Sequence, residues 1–114
     1  YKLKRNLINK IMINFKDIMK SGNPDKMDYI VTVQGNPTWD YKICALNTIC
    51  LISNVENGVE EEYVTLGELR RYIVSSEIPF DLVVLQKEAD NIQLIDFKWK
   101  DENKELCLIY DINY

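Results

Sequence analysis

The side chains able to do chemistry in this chain are carboxylates and tyrosines, because its 114 residues include no histidine. The commonest general base and metal ligand is therefore missing, together with every Ser/His or Cys/His nucleophile pair. Asp40, Glu68, Glu77 and Asp96 are isolated carboxylates, with Tyr41, Tyr72 or Tyr110 as proton donors, and acid–base work needs two such groups in one shaped pocket. No spacing in the sequence joins a pair of them, so the expectation is a non-enzymatic protein without a cofactor. The three cysteines, Cys44, Cys50 and Cys107, all sit in apolar runs. Their odd number and lack of CxxC spacing predict reduced core thiols, not a disulfide framework or a zinc site. Glu60, Glu61 and Glu62 would alternate between the two faces of a strand and lack the glycine-turned oxygen loop of a calcium site, so no metal centre is expected.

Charge is unevenly placed. Residues 1–27 hold seven basic and two acidic side chains, the rest of the chain seven basic and sixteen acidic, and the net charge is −4. The expected ligand is another protein, met by the acidic Glu60, Glu61 and Glu62 and by Trp39 and Tyr41 after Pro37, where two large rings on a turn supply contact area at low entropy cost. The alternative is nucleic acid, held on phosphates by Lys2, Arg5, Lys10, Lys16 and Lys20. A pI of 4.8 counts against it, since domains of that kind are usually basic overall.

These groups depend on a set of elements legible from periodicity. From Leu3 to Lys20 the apolar residues fall on one half of a helical wheel and the lysines on the other, with Gly22 as the stop and Ile13 stranded among the lysines. Tyr29 to Gln34 reads as a strand and Asn36 to Asp40 as a turn around Pro37. Tyr41 to Ser53 is apolar on both faces and predicts one long central strand bent near Asn47, with a helix as the other reading. Asn57-Gly58 predicts a hairpin into a short strand at Glu60 to Val64.

Thr65 and Glu68 form a capping-box pattern, with Val64 and Leu69 as hydrophobic staple. The helix they start should reach Ser75 or Ser76 with Leu66, Leu69, Tyr72 and Ile73 inward and Arg70 and Arg71 outward. Leu82 to Gln86, Ile92 to Trp99 and Glu105 to Ile112 then predict a three-stranded antiparallel meander, with Ile95, Phe97 and Trp99 on one face and Asp96 and Lys98 on the other.

The stretch from Val64 to Tyr110 resembles small proteins common in bacteriophages and mobile elements of low-GC bacteria. The matching residues are Thr65, Leu66, Glu68 and Leu69 at a helix start, Pro79, Asp81 and Val84 at entry to a strand, and the hairpin from Ile92 to Tyr110. The abundance of Ile, Asn and Lys, which have AT-rich codons, points to a low-GC bacterium, its phages or a large DNA virus. The resemblance implies a small protein that binds and modulates a host or phage protein.

The fold expected is a single α+β domain over residues 1–114, an antiparallel sheet of five or six strands with two helices packed on one face. No segment approaches the ~20 apolar residues of a membrane span, and the first residues lack the apolar core of a signal peptide. With reduced thiols, this predicts a cytoplasmic protein. An exposed sheet edge is compatible with a homodimer.

Overall fold

The computed structural model describes residues 13–53, 63–87 and 94–111 of the chain. Helix α1 is Phe15–Ser21. Its start is set by Asn14, whose side chain accepts from the Asp17 amide while the Asp17 carboxylate accepts from the Asn14 amide. Asn14 is extended, at φ −115° and ψ 179°, so the continuous Leu3 to Lys20 helix is corrected. A reciprocal cap starts the helix at residue 15, and the earlier part of that expectation lies outside the described residues. Ile13, expected among exposed lysines, is half-buried against the core. Phe15 and Ile18 point inward, and Phe15 stacks edge to face on Phe80 at 5.1 Å. The amide of Phe15 donates to Val83 O, and the Asn14 side chain donates to Asp81 O. The helix is thereby pinned to the 3-10 turn Phe80–Leu82.

Seven strands follow among the described residues: β1 Ile30–Val33, β2 Asn36–Pro37, β3 Asp40–Ala45, β4 Thr48–Ile52, β5 Val84–Lys87, β6 Leu94–Lys100 and β7 Glu105–Tyr110. Helix α2, Leu66–Ser75, lies between β4 and β5 in sequence. The class is α+β as expected, but the strands form two mixed sheets and not one antiparallel sheet. Their orders are β2-β1-β7-β6 and β3-β4-β5. In the first, β1 runs parallel to β7; in the second, β4 runs parallel to β5. The expected meander is corrected accordingly: β6 and β7 make an antiparallel hairpin, while β5 belongs to the other sheet.

The long Tyr41 to Ser53 strand is also corrected. Asn47 takes φ 63°, a left-handed conformation that asparagine tolerates well, and the chain reverses there into the β3–β4 hairpin. Gln34 and Gly35, at φ 50° and 94°, close the β1–β2 hairpin in the same way. The hairpin expected at Asn57-Gly58 and most of its second strand lie outside the described residues. Tyr63 and Val64 are described and not in a strand, though Val64 bonds both Thr38 and Val31 through its backbone.

Helix α2 covers the join of the two sheets. Leu66, Leu69 and Ile73 are fully buried, Tyr72 is half-buried, and Arg70 and Arg71 are exposed, as the periodicity predicted. The amides of Leu66 and Gly67 donate to Tyr29 O and Met27 O, which ties the start of α2 to the entry of β1. Tyr110 on β7 reaches across to donate to Leu85 O on β5 at 3.0 Å. One core thus runs through both sheets, built from Val31, Val33, Ile49, Leu51, Leu85, Leu106 and Leu108 with the two helices.

Strands β1 and β7 are buried on both faces, as parallel central strands usually are. On the face away from the core the Thr32 hydroxyl donates to the buried Glu105 carboxylate at 2.6 Å. In β6 the register shifts between Leu94 and Asp96. Ile95 sits in this bulge and is exposed, so the alternation expected for Ile95, Phe97 and Trp99 holds only for the last two.

Candidate functional site

The structure brings together three of the predicted acid–base residues. Tyr41 on β3 donates to the Glu68 carboxylate on α2 at 3.1 Å and meets Tyr72 edge to face at 4.9 Å. The capping box is half formed, since Thr65 accepts from the Glu68 amide at 3.2 Å. The Glu68 carboxylate serves Tyr41 and not the Thr65 backbone. Burial first, and the Glu68 carboxylate second, push the Tyr41 hydroxyl up to about 12. A phenol held protonated and donating to a carboxylate clamps a helix to a sheet. Burial likewise raises Tyr110 above the usual phenol range.

The remaining candidates stay apart. Asp40 and Asp96 each accept from the next residue's amide at 2.8 Å, and Glu77 follows α2 at φ 59°. Among the described residues no group of three or more Cys, Asp or Glu is placed to hold a metal ion. Trp39 lies half-buried just before β3, with its indole Nε1 and the neighbouring Thr38 Oγ1 buried without hydrogen-bond partners. Tyr41, expected both as a recognition group beside the Pro37 turn and as the first residue of a strand, is in strand β3. Glu60, Glu61 and Glu62, like Lys2, Arg5 and Lys10, lie outside the described residues. Lys16 and Lys20 are exposed on α1.

The cysteine expectation is overturned. Cys44 and Cys50 form a disulfide, with their Cα atoms 6.0 Å apart; Cys107 alone is a free buried thiol. Cys44 sits where the β3–β4 register shifts between Ile43 and Ala45, and the Asn47 reversal carries Cys50 back beside it. A loop this short gains only about 2 kcal/mol from the crosslink. Cys44→Ser/Cys50→Ser should therefore lower stability by about that much in denaturant titration while the hairpin persists. Thiol titration of the unreduced, unfolded wild type should find one free thiol.

A polar and aromatic cluster joins the end of α1 and the entry of β1 to β6 and the 3-10 turn Asp101–Asn103 that follows it. Lys26 pairs with Asp101 at 2.7 Å and lies 5.0 Å from the Tyr29 ring and 5.3 Å from the Trp99 ring. Tyr29 donates to the same Asp101 oxygen at 2.7 Å, and Trp99 Nε1 donates to Ser21 Oγ at 2.7 Å. The Trp99 ring covers Gly22 so closely that a Cβ there would meet it at 2.8 Å. Hydrogen bonds from Lys26, then Tyr29, hold Asp101 below the usual carboxylate range, and the Asp101 bonds raise Lys26 and Tyr29 above theirs.

A depressed carboxylate stabilises the fold above its unfolded pKa, and that contribution is lost as pH falls through the folded value. The raised lysine and phenol lose theirs as pH climbs through their folded values. The Tm gap between wild type and Asp101→Asn should accordingly be widest between about pH 5 and 9 and close as pH falls below 4. A gap constant down to pH 2 would contradict this assignment.

Among the described residues, the feature least explained by folding is the outer edge of β3, with which no described strand pairs. Asp40, Lys42, Ile43, Cys44 and Ala45 are all exposed; Ile43 is 44% and the following Leu46 88% accessible. Strand β3 shares with the other described edges some devices that natural sheets use, namely the charges of Asp40 and Lys42 and the register shift at Cys44, but it is six residues long and ends in exposed apolar side chains. Strand β2 is two residues long and contains Pro37, β6 carries Asp96, Lys98 and Lys100 beside its bulge, and the residue preceding β5, Val83, bonds the start of α1. Sequence reading missed this edge because it merged β3 and β4 into one central strand. The chain matches no family model, no curated protein and no solved structure.

Proposed function

We propose that this is a non-enzymatic protein-binding module that receives an extended segment of a protein partner along β3. The observation that carries the reading is the exposed six-residue edge with apolar side chains at its open end. Backbone amides and carbonyls of the edge supply affinity to an added strand once the Asp40 carboxylate, which accepts from the Tyr41 amide at 2.8 Å, turns away, and neighbouring side chains supply selectivity. Tyr41 enters this reading in a changed role, holding the strand against α2, and Trp39 lies at the start of the edge. A role in modulating a host or phage protein, implied by the resemblance of residues 64–110, is compatible with it.

Location follows the cysteines. Disulfides persist in oxidising compartments and are rare in the cytosol, so a cytosolic protein is expected to carry three free thiols in its own cell and a protein of an oxidising compartment one. Among the described residues no helix is long and apolar enough to cross a membrane.

The test is affinity capture of tagged protein from lysate, with and without nuclease, comparing wild type, Ile43→Lys/Leu46→Lys, and Lys16→Glu/Lys20→Glu. A protein that survives nuclease and is lost only from the edge variant supports the reading. Material that vanishes with nuclease or with the α1 variant moves the function to nucleic acid and the basic helix.

A further inference from the structure

Resting on the edge reading above, we infer that the strand received by β3 is the β3 of a second copy, paired antiparallel about Tyr41. Residues facing each other across an antiparallel ladder share the same hydrogen-bonding orientation, so a two-fold axis at this edge passes through a residue. Four centres lie on the straight part of β3 before the register shift at Cys44. An axis at Asp40 sets that carboxylate against itself, and one at Lys42 does the same with the ammonium. An axis at Ile43 puts Lys42 opposite Cys44 and runs the pairing through the bulge. The axis at Tyr41 places Asp40 opposite Lys42 of the second copy, and Lys42 opposite its Asp40. It also places Trp39 opposite Ile43, an aromatic facing an exposed β-branched side chain, twice per dimer.

The facing pairs are the favourable kinds at cross-strand positions, with no like charges opposed. Asp40 and Lys42 are both exposed and neither makes an ion pair among the described residues. The Asp40 carboxylate, which accepts from the Tyr41 amide at 2.8 Å, exchanges that bond for the Lys42 ammonium of the second copy and frees the amide on the axis. The two three-stranded sheets then become one of six, β5-β4-β3-β3-β4-β5, with both α2 helices on the same side. A ladder of five residues buries little surface, so the association belongs to the weak class, micromolar or looser.

Sedimentation equilibrium tests this with the whole chain, using Asp40→Lys and Lys42→Asp singly and as an equimolar mixture. Circular dichroism first verifies that each variant is folded. Wild type should dimerise, and each single variant should do so about tenfold or more weakly, because both facing pairs become like-charged. The mixture should recover wild-type affinity as a heterodimer, since each facing pair is again opposite in charge. A dimer insensitive to the single substitutions, or a mixture without recovery, overturns the register. Wild type that stays monomeric to about 1 mM overturns self-pairing. In that last case amide exchange separates the two proposals: fast exchange on β3 leaves the edge open for a different protein, and uniformly slow exchange removes the edge reading as well.

Discussion

Phe15→Ala is expected to destabilise the protein by about 3–5 kcal/mol, the range for an aromatic removed from a packed core. Phe15 is fully buried, its ring meets Phe80 edge to face at 5.1 Å, and it is the first residue of a helix only seven residues long. Such a helix has little stability of its own and depends on the face it buries. Its loss also frees the amide bond to Val83 O, the contact that fixes the residue preceding β5. Urea titration followed by tryptophan fluorescence measures the change. A cost below about 1 kcal/mol would mean that α1 is not part of the cooperative core.

Ile43→Lys/Leu46→Lys should leave stability within about 1 kcal/mol, because Leu46 is largely in water and Ile43 a little under half so, yet weaken strand addition at β3 by at least about tenfold. Lysine on a sheet edge is the device natural proteins use against unwanted pairing, since the incoming chain must bury or displace the charge. Leu46, at 88% accessible, loses almost no packing, and Ile43, at 44%, loses part of its own. Unchanged partner retention beside an unchanged Tm would place binding elsewhere on the molecule.

What the sequence made legible was local. The α2 cap at Thr65, its inward residues Leu66, Leu69 and Ile73, the β6–β7 hairpin and strand β1 all follow from periodicity and turn chemistry within about ten residues. The parallel pairings of β1 with β7 and β4 with β5 join segments with no turn between them, and no local signal announces them. One misread residue had the widest consequences. Asn47 marked a bend, and a bend keeps Cys44 and Cys50 apart and leaves β3 inside a central strand. Taken as a left-handed reversal, the same residue pairs the cysteines, splits the strand and exposes an edge. The Asn14–Asp17 capping box was likewise present in the sequence but overridden by a longer amphipathic pattern.

Glu68 shows how a correct motif can hide a second role. Its position in the helix cap accounts for it locally, whereas its carboxylate holds Tyr41 and thereby the strand that carries the proposed binding edge. The candidate site was therefore half visible: Trp39 and Tyr41 were singled out as surface recognition groups, and Tyr41 instead ties its strand to α2 through Glu68 and Tyr72.

The openness of that strand is the central claim, and residue-resolved amide hydrogen exchange at a dilution that keeps the chain monomeric tests it most directly. The account predicts fast exchange at those amides of Asp40–Ala45 that point away from β4, alongside slow exchange throughout Ile49–Leu51. Uniformly slow exchange across Asp40–Ala45 would mean the edge is already covered, and the proposed function would fall with it.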